Sequence, residues 1–432
     1  MHFVLSIISY IFILRNPVIY TLLPLNRLKK SLFKLARQLL YIWVYTTAGH
    51  PLQENHRRYY FMEKITIVGG GNGAFAAAAD LTLRGNQVTL FELPQFAGGI
   101  KDVMERGGIE MESFAGNGLE GGFAKLYKIT TDVKEALAES DIIMVIVPSY
   151  SLDTIAKLCA PYLRDGQIVA LCPANFGGSL FFSKTIKDSG YDPKILIADF
   201  ACMMYACRKS SSSSVWVRGY KHNLGVAFFP NKGSEPAFER LHNLYPYIIR
   251  YNNVIETGLS NPNSTMHTSL MLFNAASVDN KEDRLFYREC VTPSLNNMIA
   301  GLDKERCSLN SIKGMHIRTI PQILTEWYGH QGAQGETMCE ILHSLKHFAY
   351  SKLPTEMTHR YVTEDVPYGL IPSAEFFEQL GLEHPLHTAL ANVLSAVSAR
   401  DFKKEARTLK DIGIDGMNAD QLMHYLETGE RI

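Results

Sequence analysis

The chain has 432 residues, 46% of them hydrophobic and 20% charged, which supplies cores for two or three domains and excludes disorder and collagen-like repeats. Its 43 Lys and Arg balance 43 Asp and Glu, but the neutrality is a cancellation. Residues 1–61 hold Arg15, Arg27, Lys29, Lys30, Lys34, Arg37, Arg57 and Arg58 against Glu54, a net +7, so the remainder carries −7 and has no basic excess to suit nucleic acid. Seven cysteines without a C-x-x-C pair argue against a disulfide scaffold or a zinc site, so no metal is expected and reduced thiols in a cytoplasmic protein are.

In the leader, an apolar run over residues 3–14 is followed by Arg15-Asn16-Pro17 and a second apolar stretch over 18–25. A spanning helix needs about 20 apolar residues, and this one would carry a charge and a proline near its middle. If it inserted, the basic cluster at 27–37 would hold the following chain in the cytoplasm. Leu32, Leu35, Leu39 and Trp43 recur at helical spacing, as in a helix lying on an anionic membrane surface. Two readings stand: an upstream-extended translation start, with the functional chain beginning at Met62, or a membrane-associated extension, which alone would bring membrane contact.

Residues 64–68 read as a short buried strand leading into Gly69-Gly70-Gly71-Asn72-Gly73-Ala74, a G-x-G-x-x-A fingerprint for a dinucleotide. Residues 72–84 are Ala-rich without proline, so a helix opens at the glycines. Gly69 permits the tight turn, Gly71 lets the backbone approach a pyrophosphate, and Ala74 lets helix and strand pack closely. Asn72 and Gly73 begin the helix, whose first N–H groups and positive dipole end face the phosphates. A second strand over 87–91 ends in Glu92, an acceptor for the adenosine ribose hydroxyls whose charge would repel a 2′-phosphate. NAD is therefore expected, with NADP as the alternative. Further strands at 141–147 and 167–171 alternate with helices at 132–139 and 149–163, the pattern of a doubly wound parallel sheet. Pro148 with its two successors, and residues 174–178, follow strand ends and are expected at the cofactor cleft.

From about residue 235 the pattern turns helical, with candidates at 235–245, 265–278, 284–302, 336–348, 374–380, 387–395 and 419–427. This divides the chain into the leader (1–61), a dinucleotide-binding domain (62–257) and a helical substrate domain (258–432), with the site between the last two. The five-serine run 210–214 reads as a surface loop tip. Asn261 and Pro262 read as the cap and first position of a helix reaching 278, on which His267, Met271 and Asn274 share a face. Taken alone, a histidine there is more often a core residue than a catalyst. Residues 360–370 read as a shaped loop, because Pro367 extends Val366 and Gly369 permits a turn. Arg360 and Asp365, five apart, share no face of a helix or strand, so spacing alone leaves them in a solvated charged loop.

Together these motifs resemble the opine dehydrogenase family of the octopine/nopaline type, over residues 62–432 and none of 1–61. The resemblance rests on four blocks: the glycine fingerprint with Glu92; Ala206-Cys207-Arg208 followed by Gly219-Tyr220-Lys221 and Phe228-Phe229-Pro230; Asn261-Pro262-Asn263-Ser264-Thr265-Met266-His267 through Asn274; and residues 360–370. It implies a Rossmann-type sheet domain followed by a mainly helical one, and an NAD(P)H-dependent reductive condensation of an amino acid with an α-keto acid such as pyruvate. It further implies His267 as general acid/base, Asp365 holding the imidazole, Arg360 anchoring a substrate carboxylate, and Asn274 as a second substrate-binding residue. Ser264 and Thr265 are more polar than the family pattern, and Thr268 stands where proline is common. Two rivals remain. One is a two-domain dehydrogenase of a hydroxy acid, ketopantoate or glycerol 3-phosphate, for which Lys281, Lys304 and Lys313 are the available lysines. The other is a non-catalytic NAD-binding module.

Overall fold

A computed structural model describes residues 62–432; the apolar runs and the helix expected before Met62 lie outside the described residues. Among these, no helix is long and apolar enough to cross a membrane.

Short β-branched and apolar runs make the strands: β1 (Lys64–Val68), β2 (Gln87–Phe91), β3 (Gly108–Ser113), β4 (Gly122–Lys125), β5 (Lys128–Thr130), β6 (Ile142–Val145), β7 (Ile168–Leu171), β8 (Leu196–Phe200), β9 (Tyr205–Ser211), β10 (Ser214–Tyr220), β11 (Leu224–Phe229) and β12 (Ile248–Arg250). Eight of them form one sheet in the order β12-β11-β8-β7-β6-β1-β2-β5. From β5 to β8 every pairing is parallel, in the strand order of a dinucleotide-binding sheet, with the topological switch between β1 and β6. The sheet is mixed rather than wholly parallel, because β11 returns antiparallel to β8. The link between them is the β9–β10 hairpin instead of a crossover helix, which frees the chain to run back the other way.

That hairpin joins β3 and β4 in a second, four-stranded sheet with the order β4-β3-β10-β9, which short glycine-containing strands hid from the periodicity. The serine run forms its tip between Ser211 and Ser214. The Asn72–Leu83 helix is sandwiched between the two sheets, so Ala74 through Leu81 are all buried. Within it, buried Asp80 accepts from Arg84 at 2.6 Å and from the Tyr205 hydroxyl at 2.6 Å, fastening helix to hairpin.

In the helical part the helix Ile320–Tyr328 is an addition to the expected ones, and three expected elements change. The helix expected over 265–278 is two, Asn263–Phe273 and Ala275–Asp279, because the Asn274 amide donates to the Leu270 and Cys290 carbonyls and takes the backbone out of register. The helix expected over 284–302 begins only at Pro293, capped by the Thr292 hydroxyl. The loop expected over 360–370 is helical: Arg360–Thr363 leads through a π turn, Val366–Leu370, into Ile371–Gln379. Pro367 sits in the first turn of that segment, where a missing N–H costs nothing. The seven cysteines are free thiols.

Candidate active site

A cleft of about 350 Å³ opens between the glycine turn, the ends of β6 and β7, the β9–β10 hairpin and the helical part. Gly71, Asn72, Gly73 and Pro148 line its nucleotide side; Met266, His267, Tyr287, His359, Arg360, Tyr361 and Asp365 line the other.

On the nucleotide side, Gly69 has φ +118°, and a Cβ there would lie 2.6 Å from the Ile146 carbonyl, so only glycine serves. At Gly71 a Cβ would meet no atom within 4 Å, and no side chain caps the helix that starts after it. The turn thus leaves its first N–H groups and an open concavity for a phosphate, a fit to a dinucleotide. Gly73 lies against Met203, whose side chain would have to shift to admit a Cβ there. Ala74 is buried and contributes packing, as its place in the fingerprint implies. The Asn72 side-chain oxygen accepts from the Lys209 amide at 2.8 Å, so it ties the hairpin to the glycine turn. Glu92, at the end of β2, accepts from the Leu93 amide at 2.7 Å and lies against Gly70. Burial raises its carboxyl above the usual range, opposed by the Leu93 and Gly70 amides and by Lys209. Residues 174–178 stand behind the cleft wall, which Cys172 and Pro173 form instead.

On the other side, the Asn263–Phe273 helix carries His267, 5% exposed. Its Nδ1 donates to Asp365 at 2.8 Å, and its Nε2 accepts from the Tyr287 hydroxyl at 2.7 Å. Tyr361 stacks on the ring with centroids 3.8 Å apart and fixes its plane. The solvated loop expected for Asp365 is therefore wrong in its surroundings: Asp365 is buried against the imidazole. Arg360 pairs with Glu364 at 2.8 Å, yet 59% of its side chain stays open to the cleft. Buried Glu364 also accepts from the Ser149 amide and hydroxyl. Ser149 accepts from Asn175, and Asn175 from Asn261, each at 2.7 Å. This buried polar chain connects Arg360 to the ends of both nucleotide strands. His359, beside His267 and Arg208, has its imidazole lowered to about 4, chiefly by burial. Asn274 does not line the cleft; its amide is used by the helix break.

Spacing could not find Tyr287, because it lies in the irregular stretch before Pro293 that the apolar pattern made helical. Thr292-Pro293, a cap followed by a first-turn proline, was the signal available. Glu364 and Lys221 fall within the motif blocks but were given no role, and Arg218 was missed. Lys281, Lys304 and Lys313 are exposed and none lines the cleft.

Residues 250–398 match the family described as NAD/NADP octopine/nopaline dehydrogenase, alpha-helical domain. The chain is 30% identical over 361 residues to the opine dehydrogenase of Arthrobacter sp. (strain 1C), covering 84% of this chain and 98% of that protein. Among solved structures it resembles octopine dehydrogenase with NADH and L-arginine, at TM-score 0.69 and 18% identity, over 86% of this chain and 99% of that one. It also resembles NADP+-bound yersinopine dehydrogenase, at TM-score 0.63 and 15% identity, over 85% and 98%.

Proposed function

The chain belongs to the opine dehydrogenase family, and we propose that its cleft carries out the NAD(P)H-dependent reductive condensation of an amino acid with an α-keto acid, and the reverse oxidation. One observation carries the reading: His267 is held at Nδ1 by Asp365 at 2.8 Å, in a cleft shared by the glycine turn and an open arginine, Arg360.

The bound nicotinamide supplies or accepts the hydride. This chain's residues do the rest. The amides after Gly71 hold the phosphates and Glu92 takes the ribose hydroxyls, which favours NADH over NADPH. Arg360 anchors the keto-acid carboxylate, its fork steadied by Glu364. Asp365 keeps the Nδ1–H tautomer of His267, so Nε2 is the nitrogen that exchanges a proton with the carbonyl or carbinolamine oxygen, a step that balances the loss of water. Tyr287 occupies Nε2 until substrate oxygen takes its place.

The test is amine dependence. Purified protein should oxidise NADH only when an amino acid and a keto acid are both present. Oxidation with keto acid alone would favour a hydroxy-acid dehydrogenase, a reading disfavoured by the absence of any of the three candidate lysines from the cleft.

A further inference from the structure

The product of an opine-forming reaction carries two carboxylates, one from each substrate, and Arg360 is assigned only one of them. The cleft's other cations are Arg208, Arg218 and Lys221, and the carboxylate that lines it, Asp365, is already paired with His267, while Glu364, buried behind Arg360, pairs with that arginine. Lys221 is engaged: its ammonium donates to the Met203 carbonyl at 2.6 Å and faces the Trp327 and Tyr328 rings.

Arg218 differs. It is 8% exposed, and its Nε is buried without an acceptor. No side-chain hydrogen bond or ion pair of Arg218 or Arg208 is present among the described residues, and the Arg218 guanidinium makes a ring contact, 5.6 Å from the Trp216 centroid. Its position is specified by the backbone. β10 pairs Val217 with Cys207 and Gly219 with Ala206, so Arg218 is the extra residue of a bulge, a device that re-aims a side chain. Arg208 stands opposite Trp216 in the same hairpin. A buried guanidinium without an acceptor is costly, and an arriving anion removes the cost. Burial and the like charge of Arg208 both oppose its charged form, while Tyr361 and Tyr287, neighbours of His267, lie within its field.

Resting on the opine-forming reading, we infer that Arg218, assisted by Arg208, forms a second carboxylate subsite on the hairpin wall. It receives the α-carboxylate of the amino-acid substrate and restricts the enzyme to amines that carry one. The two substrate carboxylates are then held by different structural parts, Arg360 in the helical part and Arg218 in the sheet part, with the condensing atoms between them beside His267.

The probe is iminodiacetate, the simplest secondary-amine dicarboxylate, titrated calorimetrically into the full chain saturated with NADH. Losing a charge-assisted pair weakens binding by about 10- to 100-fold, so Arg218→Met should show that loss, Arg218→Lys should recover part of it, and the exposed Arg208→Gln should lose several-fold. NADH affinity should be unchanged in all three. In turnover, Arg218→Met should raise KM for the amino acid and leave KM for the keto acid within about twofold, and its preference for an amino acid over the decarboxylated amine should fall. Equal iminodiacetate affinity in wild type and both neutral variants, no measurable binding by the wild type, or a loss confined to NADH affinity would each overturn the subsite. Arg218-dependent iminodiacetate binding in a protein with no amine-dependent turnover would sink the reaction and leave the subsite standing.

Discussion

Glu364 accepts the Ser149 backbone N–H at 3.0 Å while its other oxygen lies 2.8 Å from Arg360. One carboxylate thus joins the turn after β6 to the arginine that reaches into the cleft, across 215 positions of sequence. Burial is the largest influence on it and holds its carboxyl above the usual range, against the pull of Arg360. A folded-state pKa raised above the unfolded value means that the folded chain binds the extra proton, so stability falls as pH rises through that window and stays lower above it. Glu364→Gln, whose amide oxygen can still accept from Ser149, should therefore leave neutral-pH stability equal or higher and flatten its acid-side slope in thermal melts. The same variant should raise KM for the keto acid several-fold, because Arg360 loses its brace.

Gly71 separates folding from cofactor binding. A Cβ there meets no atom within 4 Å, and its φ is −80°, open to any residue. Gly71→Val should fold with an unchanged circular dichroism spectrum and yet bind NADH at least tenfold more weakly by fluorescence titration, since the new side chain fills the space where the phosphate approaches.

The His267 relay predicts a graded series. His267→Ala should lower kcat by about 10² to 10⁴-fold with NADH affinity retained. Asp365→Asn should approach that loss by disturbing the tautomer rather than removing the base. Tyr287→Phe removes only the hydroxyl that occupies Nε2 before substrate arrives, so its kcat should stay within about tenfold of wild type. Steady-state kinetics on the three variants checks the order.

His359 should leave a mark on acid stability. Its imidazole is lowered to about 4 in the fold against an ordinary value near 6.5. Between those values the unfolded chain takes up a proton that the folded chain does not, so stability drops as pH falls from about 6.5 to 4. His359→Gln should make that drop shallower in melts across the interval, with little change above pH 7.

Much of the nucleotide half was legible. The strands at 64–68 and 87–91 have the bounds that their apolar runs imply, because a buried strand leaves little choice of residue on either face. The second sheet was not legible, since strands as short as Gly122–Lys125 carry no periodicity. His267 and Asp365 lie 98 positions apart, a contact that no spacing rule reaches; the resemblance paired them before the fold did. Asn274 marks the limit in the other direction. Its helical spacing from His267 is real, but the same amide that suggested a ligand breaks the helix and turns away from the cleft.

The central claim is tested most directly by the mass of the product. Incubation with NADH, an amino acid and a keto acid should yield a compound whose mass is the sum of the two substrates less one oxygen atom, the secondary-amine dicarboxylate. A product two hydrogens heavier than the keto acid, formed whether or not the amino acid is present, would contradict it.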